Sequence, residues 1–140
     1  MTVKINTTDE EHSALFMAAQ EVMLRAYAPY SRFKVGAALL SSDGRIFSGC
    51  NIENASFGAG TCAERAALAH GVSQGVLSYR AIAVAGSSGA PTPCGICRQA
   101  LFEFGGRGLL VIWGESPKSL HIAPLGELLP HAFGPEDLEG

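Results

Sequence analysis

Apolar residues at Leu15, Ala18, Ala19, Val22, Met23 and Ala26 recur three or four positions apart, which is the spacing of one helix face. The pattern predicts a helix over about Thr8 to Tyr27, with Thr8 as N-cap, Glu11 answering it three residues on, and Pro29 as the stop. Two strands follow, Phe33 to Leu40 and Arg45 to Cys50. They are joined at Ser41-Ser42-Asp43-Gly44, where Asp-Gly is a strong hairpin signal. Asn51 to Gly60, rich in Asn, Ser and Gly, reads as a loop.

The second half alternates. A helix over about Cys62 to Gln74 ends at Gly75, and Tyr79 to Ala85 is a buried strand. The turn-rich stretch Gly86 to Pro93 leads into a helix over about Cys94 to Phe104, before Gly105-Gly106. Gly108 to Trp113 is an apolar strand. A short strand near Leu120–Ile122 and a short helix over about Pro124 to Leu129 complete the chain. Strands alternating with helices predict an α/β protein, a three-layer α/β/α sandwich on a mixed sheet of about five strands. Because helices connect them, the strands after the opening hairpin are expected to run parallel.

Composition narrows the picture. With 140 residues the chain is expected to be one domain, 1–140, burying roughly 68–70% of its unfolded surface without needing a disulfide or metal to fold. Hydrophobic residues at 47%, charged residues at 16% and a mean hydropathy of +0.19 exclude disorder and point to extra burial, as in an oligomer. A net charge of −3 and a pI of about 5.8 argue against a polynucleotide partner. No apolar run has the length of a membrane span, and Met1-Thr2-Val3-Lys4-Ile5-Asn6 lacks the order of a secretion signal. A cytoplasmic location is therefore expected.

Four cysteines are too few for a disulfide scaffold, so their placement carries the information. Cys62 opens one predicted helix, and Cys94 and Cys97 open another. Unpaired backbone N–H groups and the positive dipole end at a helix start favour thiolate over thiol. Three thiolates meeting between two helix starts make a tetrahedral zinc site with one position open, as a catalytic site requires. Glu64 is the candidate general base. Two residues along a helix is about 200° of rotation, so Cys62 and Glu64 face one target only from a helix end. The bland readings are three buried structural thiols, a thioredoxin-like C-x-x-C, or a Glu64 that merely answers the helix dipole.

Cys62-Ala63-Glu64 followed by Pro93-Cys94-x-x-Cys97 resembles the zinc deaminase signature, with Cys in place of its first His. The run from Tyr27 to Ala38, the run Gly49-Cys50-Asn51-Ile52-Glu53-Asn54-Ala55-Ser56 and the ending Glu127 to Phe133 are similar to the small homotetrameric cytidine deaminases. The resemblance spans about His12 to Leu138. It implies hydrolytic deamination of cytidine and deoxycytidine to uridine and deoxyuridine, with release of ammonia, in pyrimidine salvage. It also implies one zinc per subunit, held by Cys62, Cys94 and Cys97 with water as the fourth ligand. Glu64 would take a proton from that water, pass it to N3 of the ring and protonate the departing amine. The resemblance further implies that Ala63 offers its backbone N–H to the carbonyl at ring position 2, that Asn51 and Glu53 read the ribose, and that Phe33 lies beside the base. Phe133 would reach the site of a neighbouring subunit in a homotetramer. The Arg matching Arg65 would support the thiolates, with Gln99 helping to hold it.

The charge of Glu53 at the sugar end would repel a phosphate, which favours a free nucleoside over nucleotide, DNA or RNA. Three thiolates with Zn²⁺ sum to −1, which Arg65, one turn beyond Cys62, is placed to offset. Asn51 also fits a turn former, and Phe33 and Phe133 also fit core or interface aromatics. Arg65 also fits an ordinary surface residue of its helix. Phe57 departs from the Tyr common in relatives, and Ile96 from Ala. Cys50 reads as a buried free thiol, Trp113 as packing, and His12, His70, His121 and His131 fall outside any ligand spacing. The alternatives are a deaminase of another aminopyrimidine nucleoside, such as blasticidin S, and a non-catalytic zinc module. The Asn51–Asn54 run argues against the first, and a requirement for Glu64 would exclude the second.

Overall fold

The computed structural model describes residues 9–139, and the predicted N-cap Thr8 lies outside them. The elements in chain order are α1 (Asp9–Met23), β1 (Val35–Ser41), β2 (Ile46–Cys50), α2 (Ala63–Ser73), β3 (Tyr79–Gly86), α3 (Gly95–Gly105), β4 (Leu110–Ser116), β5 (Ser119–Pro124) and α4 (Leu125–Leu128). Short 3₁₀ turns stand at Phe57–Ala59 and Pro135–Leu138. The five strands form one sheet in the order β2-β1-β3-β4-β5.

Alternation along the strands divides the core into two layers. Ala38, Leu40, Ala81, Ala83, Ala85, Leu110 and Ile112 face α1, which buries Leu15, Phe16 and Ala19 against them. Ala37, Leu39, Ile82, Val84 and Val111 face the opposite side, packing on Ala63, Ala67 and Leu68 of α2 and Leu101 and Phe102 of α3. Small residues let the helices come close. A Cβ at Gly36 would lie 2.1 Å from the Ala19 carbonyl oxygen, and one at Gly49 would lie 2.3 Å from the Ala67 nitrogen. The predicted three-layer α/β/α sandwich on a mixed five-stranded sheet is the observed architecture.

Two expectations need correction. The first helix ends at Met23 rather than near Tyr27. The amides of Arg25 and Ala26 close tighter turns, onto Val22 and Met23. Tyr27 is then captured by the loop after β2: its N–H donates to Asn51 and its carbonyl accepts from Glu53. The strands after the hairpin are not all parallel either. β3 and β4, joined by α3, are parallel, but β5 is antiparallel to β4 because only Pro117-Lys118 separates their paired ends.

Connectivity places the site. β1 pairs antiparallel with both β2 and β3, so β2 and β3 point the same way. The helices that follow them, α2 and α3, therefore start at the same end of the sheet and on the same face.

Candidate active site

Cys62 and Cys94 are the N-cap residues of α2 and α3, both in extended backbone conformation, and neither side chain caps its helix. A cap position usually holds an oxygen that satisfies the first-turn N–H groups. Here the Cys62 sulfur makes no such bond and the Cys94 sulfur feels only the Cys97 amide, short of a capping hydrogen bond, so both stay available to another partner. Cys97, one turn into α3, is fully buried, Cys62 is half-buried and Cys94 is exposed. The three Sγ atoms lie within 4.8 Å of one another, with Cys62 and Cys94 at 4.0 Å.

That spacing is far beyond a disulfide bond of about 2.05 Å. It fits the edge of about 3.8 Å expected between two sulfurs on a tetrahedral zinc with bonds of about 2.3 Å. Among the described residues this trio is the one cluster of potential metal-ligating side chains close enough to hold an ion. Burial pushes the Cys97 thiol up, and the negative Glu64 adds to this. Burial also raises Cys94, but the Cys97 backbone amide and the neighbouring thiols outweigh it and leave Cys94 lowered. Without a cation the three sulfurs compete for charge, whereas a dication lets all of them ionise. The guanidinium of Arg65 already leans on the cluster, with Nη2 3.6 Å from the Cys62 sulfur, while its buried Nε has no partner. The Cys62 and then the Cys97 thiols raise its pKa further.

Glu64 is 5% exposed, in the first turn of α2. Burial raises the pKa of its carboxyl above the usual range, against smaller opposing effects from its own amide and Arg65. Among the described residues no side chain donates a hydrogen bond to it. It lines a cavity of about 180 Å³ together with Phe33, Asn51, Cys62, Ala63 and Cys94. The Phe33 ring reaches this cavity because Gly86 leaves room: a Cβ there would lie 2.9 Å from the ring and 2.6 Å from Pro91. A second, wider cavity of about 540 Å³ shares Asn51 and Cys62 with the first and is walled by Tyr30, Ser31, Glu53, Phe57 and Arg65.

Of the other sequence-predicted residues, Asn51, Glu53 and Ala63 line these two spaces, and Gln99 and Phe133 do not. The Asn51 amide donates to the Phe33 carbonyl at 2.9 Å and accepts from the Val35 N–H at 2.8 Å, tying the entry of β1 to the exit of β2. Glu53 lies at the wider cavity, half-buried, its carboxylate taken by the amides of Tyr30 and Ser31 and by the Ser31 hydroxyl. Ala63 is fully buried between Cys62 and Glu64. Gln99 makes no hydrogen bond to Arg65; its Nε2 donates instead to the Phe133 carbonyl at 2.8 Å, where α3 packs against the C-terminal segment. Phe133 is 58% exposed and lines neither cavity of its own chain. Cys50 is a free thiol away from the trio, half-buried rather than buried.

Two residues escaped the sequence reading. Arg98 binds the carbonyls of Pro93 and Leu128, each at 2.7 Å, and the Thr92 hydroxyl, bracing the loop before Cys94. Ser31 holds Glu53. A Ser two positions before Phe33 in a turn-rich stretch signals a side-chain turn, but its partner lies 22 positions away.

Residues 9–112 match the family described as the cytidine and deoxycytidylate deaminase zinc-binding region. A cytidine deaminase of Sporosarcina psychrophila is 43% identical over 125 residues, covering 89% of this chain and 92% of that protein. The crystal structure of a cytidine deaminase from Burkholderia pseudomallei superposes with a TM-score of 0.82 at 46% identity, covering 87% of this chain and 98% of the other. One from Mycobacterium tuberculosis gives 0.76 at 44% identity, with 86% and 95% covered.

Proposed function

We infer that this chain, which belongs to the zinc-binding cytidine and deoxycytidylate deaminase family, is a cytidine deaminase. It hydrolyses cytidine and deoxycytidine to uridine and deoxyuridine and releases ammonia. The observation that carries this reading is the buried Glu64 carboxyl in a small cavity whose wall also includes two of the three clustered sulfurs.

Cys62, Cys94 and Cys97 would hold the zinc. When bound, zinc supplies Lewis acidity and lowers the pKa of water enough to provide a nucleophile near neutral pH. Glu64 removes the proton from the attacking water, delivers it to N3 of the ring, and later protonates the exocyclic nitrogen as it leaves. The raised pKa of its carboxyl suits a group that must both accept and donate. Phe33 packs beside the base, and the Ala63 N–H, in the first turn of α2 where backbone donors lack helical acceptors, binds the carbonyl at ring position 2. Asn51 lies between the two cavities and Glu53 on the wider one, so a nucleoside placed base-inward puts its sugar at Glu53. Arg65 offsets the negative charge of the sulfurs, while Gln99 anchors the segment that presents Phe133.

A homotetramer is supported by exposed apolar side chains that neighbouring subunits would cover: Phe57 at 87% exposure beside Tyr30 and Ile52 at the wider cavity, and Ile96 and Phe133 elsewhere. A nucleic-acid polymer is disfavoured by the net charge of −3 and by Glu53 at the wider cavity. Among the described residues no helix is long and apolar enough to cross a membrane, and we place the enzyme in the cytoplasm.

The test is the loss of the ultraviolet band of cytidine on mixing with zinc-replete protein, run beside blasticidin S and CMP. Rapid loss with cytidine and none with CMP is expected. Turnover of blasticidin S alone would overturn the substrate assignment.

A further inference from the structure

Three donors converge on the carboxylate of Glu53. The amides of Tyr30 and Ser31 both donate to Oε1, at 2.9 and 3.1 Å, and the Ser31 hydroxyl donates to Oε2. The same hydroxyl accepts the Phe33 N–H at 3.0 Å. Between Ser31 and Phe33 the chain turns through Arg32 at φ +60°, a left-handed conformation that side chains other than glycine seldom adopt, with the Arg32 N–H returned to Ala28. One hydroxyl thus joins the residue beside the base to the residue at the sugar end, and the turn is shaped to allow it.

Counting acceptor sites sharpens this. A carboxylate offers about four lone-pair positions. Two on Oε1 are filled by backbone amides and one on Oε2 by Ser31, which leaves one on Oε2. Ser31 and Tyr30 line the wider cavity with Glu53. The Ser31 hydroxyl, followed by its amide, also holds the Glu53 carboxyl below its ordinary pKa, so the acceptor stays ionised.

We propose that Ser31 is a positioning residue for nucleoside binding: its hydroxyl fixes the Glu53 carboxylate with a single acceptor site left over, so that Glu53 takes one sugar hydroxyl. This rests on the sugar-binding role of Glu53 proposed above. Loss of the Ser31 hydroxyl leaves Glu53 held through Oε1 alone by the two amides, so Oε2 is no longer fixed toward the sugar, and the proton-transfer machinery at Glu64 is untouched. Substrate binding weakens, and turnover of bound substrate does not.

Steady-state kinetics on cytidine with zinc-loaded protein test this, comparing wild type, Ser31→Ala, Ser31→Thr, Glu53→Gln and the Ser31→Ala/Glu53→Gln double variant. Ser31→Ala is expected to raise KM roughly tenfold, the scale of one hydrogen bond to a charged group, with little change in kcat. Ser31→Thr, which keeps the hydroxyl, is expected to restore KM. The double variant should be no worse than Glu53→Gln, because both changes remove the same contact. If Glu53→Gln raises KM but Ser31→Ala does not, the positioning role falls while the sugar-binding role stands. If Glu53→Gln leaves KM unchanged, the sugar-binding role fails and the inference fails with it. A fall in kcat for Ser31→Ala as large as the rise in KM, or strictly additive losses in the double variant, also overturns it.

Discussion

The guanidinium of Arg98 donates through Nε to the carbonyl of Pro93, 2.7 Å away, so a residue one turn into α3 grips the peptide directly before Cys94. Its other nitrogens bind the Leu128 carbonyl and the Thr92 hydroxyl. A planar fork with several donors suits this three-way brace, and no smaller or neutral side chain supplies it. Arg98→Met keeps the aliphatic stem and removes the donors. Thermal unfolding should show a loss of about 2 kcal/mol, the scale of losing hydrogen bonds made by a charged group. Zinc should also leave faster under chelator challenge, and an unchanged release rate would show that Arg98 supports the fold but not the metal loop.

Glu64→Gln keeps the volume of the side chain in its buried place and removes only the titrating oxygen. Zinc content by elemental analysis should stay at one per chain, while turnover of cytidine should fall by at least about 10³-fold, since every proton movement is lost. Near-normal turnover would remove Glu64 from the chemistry.

Cys97 is the one fully buried sulfur of the trio. Cys97→Ser should drop the metal content well below one zinc per chain and abolish activity. Withdrawal of zinc from the wild type with a chelator should lower Tm, because zinc binds the folded chain in preference to the unfolded one. A full metal complement in the variant would exclude Cys97 from the ligand set.

Gly49 on β2 lets α2 lie directly on the sheet: an added Cβ would stand 2.3 Å from the Ala67 nitrogen and 2.7 Å from the Ala66 carbonyl carbon. Neither atom can yield without moving the helix. Gly49→Ala should cost about 2–3 kcal/mol in denaturant unfolding. It should also slow turnover by up to about 10²-fold, because the helix that carries Cys62 and Glu64 is displaced. A stable, fully active variant would show that α2 can move without disturbing the site.

Asp43 in the hairpin turn has its carboxyl held down to about 2, first by the Arg45 guanidinium and then by the Ser41 hydroxyl. A carboxyl lowered in the folded state adds stability above its ordinary value of 3.8 and loses it as pH falls through the folded value. Wild type should therefore exceed Asp43→Asn in Tm by a small margin at pH 7, and the gap should close between about pH 4 and pH 2. A gap that stays constant with pH would assign the effect to turn geometry rather than charge.

The sequence by itself determined what depends on near neighbours. Asp43-Gly44 set the hairpin, where Gly44 takes φ +95°. Cys62 and Cys94 stood at helix starts, and Glu64 and Cys97, two and three residues on, therefore fall in the first turns of the same helices. The apolar alternation located the strands that form the core.

Tertiary structure decided the rest. Tyr27 left the first helix because the loop at Asn51–Glu53 captured it, a competition no local pattern records. The direction of β5 followed from a two-residue connection that the sequence reading left unassigned. Arg98 found Leu128 across 30 positions, Gln99 found Phe133 across 34, and Ser31 found Glu53 across 22. Polar side chains of this kind accept whichever partner the folded backbone brings within about 3 Å, so their identity advertises capacity but not choice. The choice was made when β2 and β3 aligned on either side of β1 and brought the starts of α2 and α3 to one end of the sheet.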